Sequence, residues 1–540
     1  MNKTLDEKYL YNSVNKLSDS VKLWMCFAAN YNIGMSALGY LSMFKIFDTN
    51  PKAHPERVFF DTQRTAHNIN DVKLVGFSFS FEFDFINIFK MLEKYQIPLY
   101  SKERDENSPL IFAGGPVMSA NPEPFAEFFD FIIIGDGENS NQIINLIYEN
   151  KTLSKREILQ KLSEIEGIYV PSKYQIEYNE DFSIKSVSPD DKVKKCAIKN
   201  LNCTSSPIVT ADTIFSNNCL IEIARGCPNK CAFCLASYSN LPFRYPPYEQ
   251  IVEAIDTGVE ATGKIGLLGA LVSAHPRFDE ISEYILKKLE KQKFEVSISS
   301  LRADRINPLT VQMLVKGGQK TSTIAIEAGS QRLRDFINKR LTEEQIFNSV
   351  KIAKENGLSG MKMYSMIGLP TETMADIDEL CSLMKRLQKE FKGFSLTLSS
   401  SSFVPKANTP FQWLGREKIK SLETKNDYLK KHLHISGIKY RPTSIKWDNI
   451  QGLISRGDRR MAGLLVEFCK NSASLGSINR AYKNYNEEFK NLPPFEWYAN
   501  RDIPFDEILP WEMISYEFTK DDLIKELNRL KEVCYISSGK

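Results

Sequence analysis

Six short β-like runs recur between residues 219 and 400, each followed by a helical stretch. They are CLIEIA (219–224), KIGLL (264–268), EVSISS (295–300), TSTIAI (321–326), MKMYSM (361–366) and FSLTLSS (394–400). In the stretches between them Ile251, Val252, Ile255 and Val259 recur at helical spacing. Thr342 with Gln345 predicts a capping box, Gly357 ends that helix, and Thr373 caps the helix containing Leu380 and Met384. Strands joined through helices run parallel, because each return has to cross the sheet. Six such units in about 200 residues predict a partial (β/α)6 TIM-type barrel, since eight units typically take ~250.

The chain has 540 residues, more than one core holds, and about two or three domains are expected. Residues 1–150 read as one domain, of which 22–150 alternate in the same βα manner. WMCFAA (24–29), KLVGFSFS (73–80), LIFAGG (110–115) and FIIIGDGE (131–138) are the strand candidates, and Phe85, Ile88, Phe89 and Leu92 share a helix face. These predict an α/β domain with an open, mostly parallel, Rossmann-like sheet. Its ligand edge lies at the carboxyl ends, in NYNIGMS, SFEFD, AGGPVMSANPEP and GDGE. Residues 151–215 read as a connector with β-like pieces (GIYVPS, YQIEY). Residues 216–415 hold the barrel. Residues 416–540 read as a mainly helical α+β extension with exposed-looking Trp447, Trp497 and Trp511.

Seventy basic residues against 67 acidic leave a net charge of +3, so the total charge gives no nucleic-acid signal. The first residues, MNKTLDEKYLYNSVNKL, mix both signs and lack the apolar run of a signal peptide. Val21–Phe44 is long enough to span a bilayer. Lys22, Asn30 and Asn32 interrupt it, and a buried strand, a loop and a buried helix are expected instead. The reading is a cytoplasmic protein without a membrane segment.

Ten cysteines are present, and only Cys227, Cys231 and Cys234 cluster, in RGCPNKCAFC (225–234). They follow the first barrel strand, on the rim where such barrels carry their chemistry. Three thiolates in one short loop suit a soft metal or a cluster. Structural zinc wants a fourth ligand. Cys219 stands at the wrong end of its strand, and His275 is distant in sequence. A redox pair would have a thioredoxin-like neighbourhood, which is missing. An iron–sulfur cluster with three cysteine ligands keeps one iron open, as a catalytic metal site does.

Cys-x-x-x-Cys-x-x-Cys, with the aromatic Phe233 before the last cysteine, resembles the radical S-adenosylmethionine (SAM) superfamily. The resemblance implies a [4Fe-4S] cluster on Cys227, Cys231 and Cys234. It implies SAM on the open iron and reductive cleavage to a 5′-deoxyadenosyl radical. It also implies a reductant such as a flavodoxin or ferredoxin. LLGALVSAHP follows the second strand where the family often has Gly-Gly-Glu; Gly269 and Ala270 match in part and the Glu is absent. SSLRAD (299–304) resembles the methylthiotransferase and Elongator-catalytic-subunit branch, which puts Ser299 and Arg302 near SAM. Glu327 after the fourth strand and Gly368 and Pro370 in MIGLPTET (366–373) are the further contacts implied. Bland alternatives stand beside these. Glu327 pairs with Arg302, Ser299 is an ordinary strand residue, or Gly368-Leu-Pro only turns the chain.

The N-terminal segment resembles the cobalamin-binding-type domain of a large subclass, and FVPKANTPFQW (403–413), SRGDRR (455–460) and ILPWEMI (508–514) resemble radical SAM proteins of undefined substrate. The His of Asp-x-His-x-x-Gly is missing; His54 and His67 stand in other contexts. Either cobalamin is bound without that ligand, which argues for radical methylation, or the domain keeps the fold alone. SRGDRR reads as a phosphate-facing patch or a solvated helix cap, and 403–413 as a lid whose Phe403 and Trp413 exclude water. A methylthiotransferase-like modifier of RNA or protein is an alternative. It would need three further cysteines near the N-terminus, where only Cys26 precedes residue 150. A non-catalytic binding protein with a structural metal is the other. The substrate is not legible.

Overall fold

The computed structural model describes residues 6–490 and 492–537. Five parallel strands form the centre of the N-terminal sheet: β1 (Val21–Phe27), β2 (Ala53–Phe59), β3 (Leu74–Ser78), β4 (Leu110–Gly114) and β5 (Phe131–Ile133). Their order is β2-β1-β3-β4-β5. Gln63–Arg64 and Ile168–Tyr169 add an antiparallel strand at either edge, making seven. This is a doubly wound order whose direction of winding reverses between β1 and β3. The strands are nearly continuous apolar runs because both faces are covered. Along β1 the period of two divides the side chains: Trp24 and Cys26 enter one core, Leu23, Met25 and Phe27 the other. The run Val21–Phe44 is a strand followed by helix Leu38–Asp48, as expected. Its NYNIG stretch, expected as a loop, folds as the helical turn Tyr31–Gly34. Among the described residues no helix is long and apolar enough to cross a membrane.

The six predicted barrel strands all form: β6 (Cys219–Glu222), β7 (Lys264–Leu268), β8 (Glu295–Ile298), β9 (Thr321–Glu327), β10 (Gly360–Ile367) and β11 (Ser395–Ser402). They pair in parallel as β6-β7-β8 and β9-β10-β11, and a bridge from Leu301 to Ile324 joins the two groups. A seventh parallel strand, β12 (Lys439–Pro442), pairs with β11. It continues the sheet past residue 415, because helix Ile419–His434 supplies one more crossover. Helix Tyr248–Thr262 buries Ile251, Ile255 and Val259 in the barrel core. The capping boxes at Thr342 and Thr373 are present.

Trp511, expected exposed, is 2% exposed, and Trp447 and Trp497 are partly covered. The reason is a partner. Trp511 Nε1 donates to Gln412 Oε1 at 2.7 Å, inside the 403–413 segment. That segment is a buried strap, with Phe403, Phe411 and Trp413 in one core with Trp511.

Candidate active site

The cysteine loop leaves the top of β6 through a closed neck. Arg225 and Arg244 exchange backbone hydrogen bonds of 2.9 and 3.0 Å, so residues 226–243 form a self-contained bulb. Gly226 turns at φ +77, and a Cβ there would meet the Asn240 carbonyl oxygen at 2.4 Å. Cys227 and Cys231 are buried and Cys234 half-buried. The amide of Cys234 donates to the Cys231 carbonyl at 3.0 Å, which draws the pair into one turn. Ala232, between them, is gripped from both sides. Its amide donates to the Ile337 carbonyl at 3.0 Å, and its carbonyl accepts from Phe411 of the strap at 3.2 Å. The Lys230 carbonyl accepts from Asn338 Nδ2 at 2.7 Å. Phe233 packs against the apolar cluster that contains Phe336, Phe403 and Phe411.

Burial pushes the Cys231 thiol up to about 11, against the pull of Lys339 and Arg302. Burial also raises Cys234. Packed together without a metal, these thiols stay protonated; a cationic centre would relieve that cost.

Zinc of the structural kind lacks its remaining ligands. Cys219 is buried at the opposite end of β6 from the loop. His275 spends both ring nitrogens on backbone: Nε2 lies 3.1 Å from the Pro246 carbonyl, and Nδ1 accepts from the Arg277 amide at 3.1 Å. Among the described residues, the three sulfurs are not one of the groups whose ligand atoms all lie within 4.8 Å. Sulfurs around one tetrahedral zinc sit about 3.8 Å apart. The donor set, three cysteines in one loop, is of the kind that holds an iron–sulfur cluster.

The neck is tied to the N-terminal sheet. Arg225 Nη1 lies 3.0 Å from Asp136 Oδ1 and 2.6 Å from Glu138 Oε1, and its other edge clasps Glu222 at 2.9 and 2.7 Å. Arg244 pairs with the second oxygen of Asp136. Burial alone would raise Asp136; Arg225 and Arg244 outweigh it and hold the carboxyl below its ordinary value. GDGE is therefore an ionic anchor for the loop.

Around the rim, Glu327 has a positive φ of 66° where the β9–β10 register slips, a strained backbone of the sort held at functional sites. Its partner is not Arg302. Lys339 Nζ sits 3.0 Å from Glu327 Oε1, while Arg302 bonds to the Lys339 carbonyl and pairs with Asp304 at 2.8 Å. The turn at Asn338–Arg340 brings Lys339 in, and no local signal in INKR shows it. Gly269 abuts the start of the cysteine loop: a Cβ would meet the Ala224 carbonyl at 3.0 Å. Ala270 and Ser299 are exposed, and Pro370 partly so. Gly368 packs against helix Ile419–His434, since its φ is +74 and a Cβ would meet Leu422 at 2.4 Å. Its amide donates to the buried Glu372 at 2.6 Å. Cys227, Cys231, Cys234, Phe233, Arg302 and Glu327 thus gather with Lys339; the contact seen for Gly368 is with protein.

At the carboxyl edge of the N-terminal sheet the glycine turns are filled by the chain itself. A Cβ at Gly115 would meet the Phe79 carbonyl at 2.5 Å, and one at Gly137 would meet Met43 Sδ at 2.4 Å. Glu82 is covered by Lys406, Gln451 and Ser455. No histidine lies on this edge among the described residues; His54 and His67 meet near the amino end of β2. The edge offers no imidazole to a cobalt. SRGDRR leads into helix Met461–Lys470 with Arg460 at its N-cap position, but it is largely buried rather than solvated, and its side chains turn inward to protein partners. Arg459 pairs with the fully buried Glu123 at 3.0 Å, and Asp458 with Arg460 at 2.7 Å. The motif is an internal staple to the N-terminal domain.

Residues 39–171 match the family described as "Radical SAM proteins, N-terminal", and residues 221–384 match "Radical SAM superfamily". The chain is 31% identical over 414 residues to "Uncharacterized protein MJ0966" of Methanocaldococcus jannaschii, covering 75% of this chain and 82% of that one. It is 22% identical over 317 residues to "Uncharacterized methyltransferase PH0819" of Pyrococcus horikoshii, covering 57% of this chain and 64% of the relative. Among solved structures, the cobalamin-dependent SAM radical enzyme OxsB with aqua-cobalamin and SAM bound aligns with 96% of this chain and 80% of its own. The TM-score is 0.49 and the identity 12%. With two matched segments and a relative aligned over most of both chains, this protein belongs to the radical SAM superfamily of enzymes.

Proposed function

We propose that the chain binds a [4Fe-4S] cluster through Cys227, Cys231 and Cys234 and cleaves SAM reductively. The observation carrying this is the pinned three-cysteine bulb, with no further Cys or His at hand among the described residues to close a tetrahedral ion. When bound, the cluster supplies the electron that turns SAM into methionine and a 5′-deoxyadenosyl radical. The rest is the work of side chains. Lys339 and Arg302, near Cys231, offset the negative charge of a trio of thiolates. Glu327, held by Lys339, offers a carboxylate on the rim for the amino group of SAM. Phe233 supplies an apolar surface beside the strap. Phe403, Phe411 and Trp413 keep water from that side of the loop. The electron comes from an external reductant of the flavodoxin or ferredoxin class.

The test is anoxic reconstitution with iron and sulfide, then SAM and dithionite. Four irons per chain and released 5′-deoxyadenosine are expected. A single divalent ion per chain with no 5′-deoxyadenosine refutes the proposal. The methylthiotransferase alternative needs a second cysteine trio. Cys26, the one cysteine before residue 150, is buried within β1 and does not supply it. Methyl transfer is tied to cobalamin in this reading. Co-elution of hydroxocobalamin and a methylated product support it; loss of the corrinoid on gel filtration counts against it.

A further inference from the structure

His54, Glu56 and His67 come together in the N-terminal domain, away from the cysteine loop. His54 and Glu56 lie two residues apart on β2, so both project from one face of the sheet. After β2 the chain doubles back. Gln63–Arg64 pairs antiparallel with Arg57 and Val58, and this return carries His67 over the same face. One ligand atom from each residue lies within 4.8 Å of the others, and it is the one such group of His, Cys, Asp and Glu among the described residues. The two imidazole rings meet edge to face, with centroids 4.7 Å apart at 84°.

The carboxylate is held in place before any ion arrives. Glu56 is 8% exposed. Its Oε2 accepts from Trp24 Nε1 at 3.1 Å, and its Oε1 from the Ala66 amide at 2.7 Å and the His67 amide at 3.3 Å. His67 Nδ1 stands 2.9 Å from Glu56 Oε1. Two tetrahedral ligands, each about 2.05 Å from one metal, are separated by about 3.3 Å, so the 2.9 Å contact need open by only a few tenths of an ångström to admit one. The same contact therefore serves a proton or a metal. The His54 ring decides between them. It has no hydrogen-bond partner among the described residues, yet it aims a nitrogen at this pair. A proton shared by His67 and Glu56 leaves that imidazole without a task. The neighbouring cation, Lys16, is neutralised by Asp48 at 3.1 Å.

We propose that His54, Glu56 and His67 bind a divalent first-row transition ion of the zinc class. Two imidazoles and one carboxylate are the borderline donor set such ions prefer over calcium or magnesium. Trp24 and the Ala66 amide are the outer shell that orients the carboxylate. Both histidines are half-buried, so water completes the coordination. The ion staples the 60–67 return to β2, at the end of the sheet opposite the candidate active site.

The probe is Co2+ added to the full chain after its iron–sulfur cluster has been installed anoxically. One equivalent is expected to bind with visible d–d bands and without the near-ultraviolet charge-transfer band of thiolate ligation. Binding weakens at least tenfold in His54→Ala and in His67→Ala. A second readout needs no variant: Zn2+ protects His54 and His67 from diethyl pyrocarbonate, while His432 and His434 modify at the same rate with or without it. Absence of imidazole-type Co2+ in the unmodified chain overturns the proposal. So does undiminished binding in both variants, and so does equal modification of His54 and His67 with and without Zn2+.

Discussion

Asp136, just past the end of β5, lies 3.0 Å from Arg225, two residues before the first cysteine of the loop. A residue of the N-terminal sheet thereby fixes the neck from which the three thiols project. Arg225 also meets Glu138 and Glu222, and Arg244 meets Asp136. The N-terminal domain is part of the support of the candidate active site.

Asp136→Asn leaves Arg244 without its carboxylate and Arg225 with two of three. Breaking a partly buried pair of this kind costs about 2 kcal/mol. The urea midpoint falls, and iron retained per chain after anoxic reconstitution falls with it. The carboxyl is depressed below its ordinary 3.8 in the folded chain. The stability it contributes is full above pH 3.8 and lost as pH falls through the lower folded value. Asp136→Asn therefore flattens the acid limb of a melting-temperature profile below pH 4.

Cys231→Ser removes cluster binding and 5′-deoxyadenosine formation, read by iron analysis and chromatography. Cys219→Ala, at the far end of β6, keeps the iron and loses only packing, about 1–2 kcal/mol. Equal iron loss in both variants would mean that general unfolding, not ligand loss, is being measured.

Glu372 is buried beneath the Gly368 turn, and burial pushes its carboxyl up to about 7, against the pull of Lys425 at 2.9 Å. A raised acid binds its proton more tightly folded than unfolded. Its stability contribution is present below pH 4.5 and is lost as pH rises through about 7. Glu372→Gln removes that slope, on the order of 3 kcal/mol between these limits. Denaturation midpoints at pH 5, 6, 7 and 8 check it; an unchanged slope refutes it.

Arg459→Met strands the Glu123 carboxylate, which is 0% exposed, and costs about 3–5 kcal/mol. The double variant with Glu123→Gln recovers part of that loss, because no unpaired charge remains. A double-mutant cycle on urea midpoints measures the coupling. Additive losses would deny the staple.

The strands β6 to β11 were legible because each needs only its own apolar run and the helix that follows. The cysteine trio was legible because spacings of three and two in one loop bring the sulfurs near whatever surrounds them. Lys339 was not legible: its Nζ reaches Glu327 through a left-handed turn twelve residues on, with no local signature. Trp511 and SRGDRR looked surface-exposed because their partners, Gln412 and Glu123, are 99 and 336 residues away. Strand β12 lay beyond the expected barrel boundary, since a four-residue edge strand carries too little pattern to announce itself.

The sequence by itself determined the alternation of strands and helices, and with it two parallel sheets, the rim that carries the loop, and three thiols free of a fourth. Those features depend on residues close along the chain. Only the tertiary structure decided which carboxylate meets which cation. Asp136 with Arg225, Glu327 with Lys339, Glu123 with Arg459 and Glu56 with His67 are chosen by how elements dock, and docking follows the burial of apolar faces rather than any preference among the charges themselves.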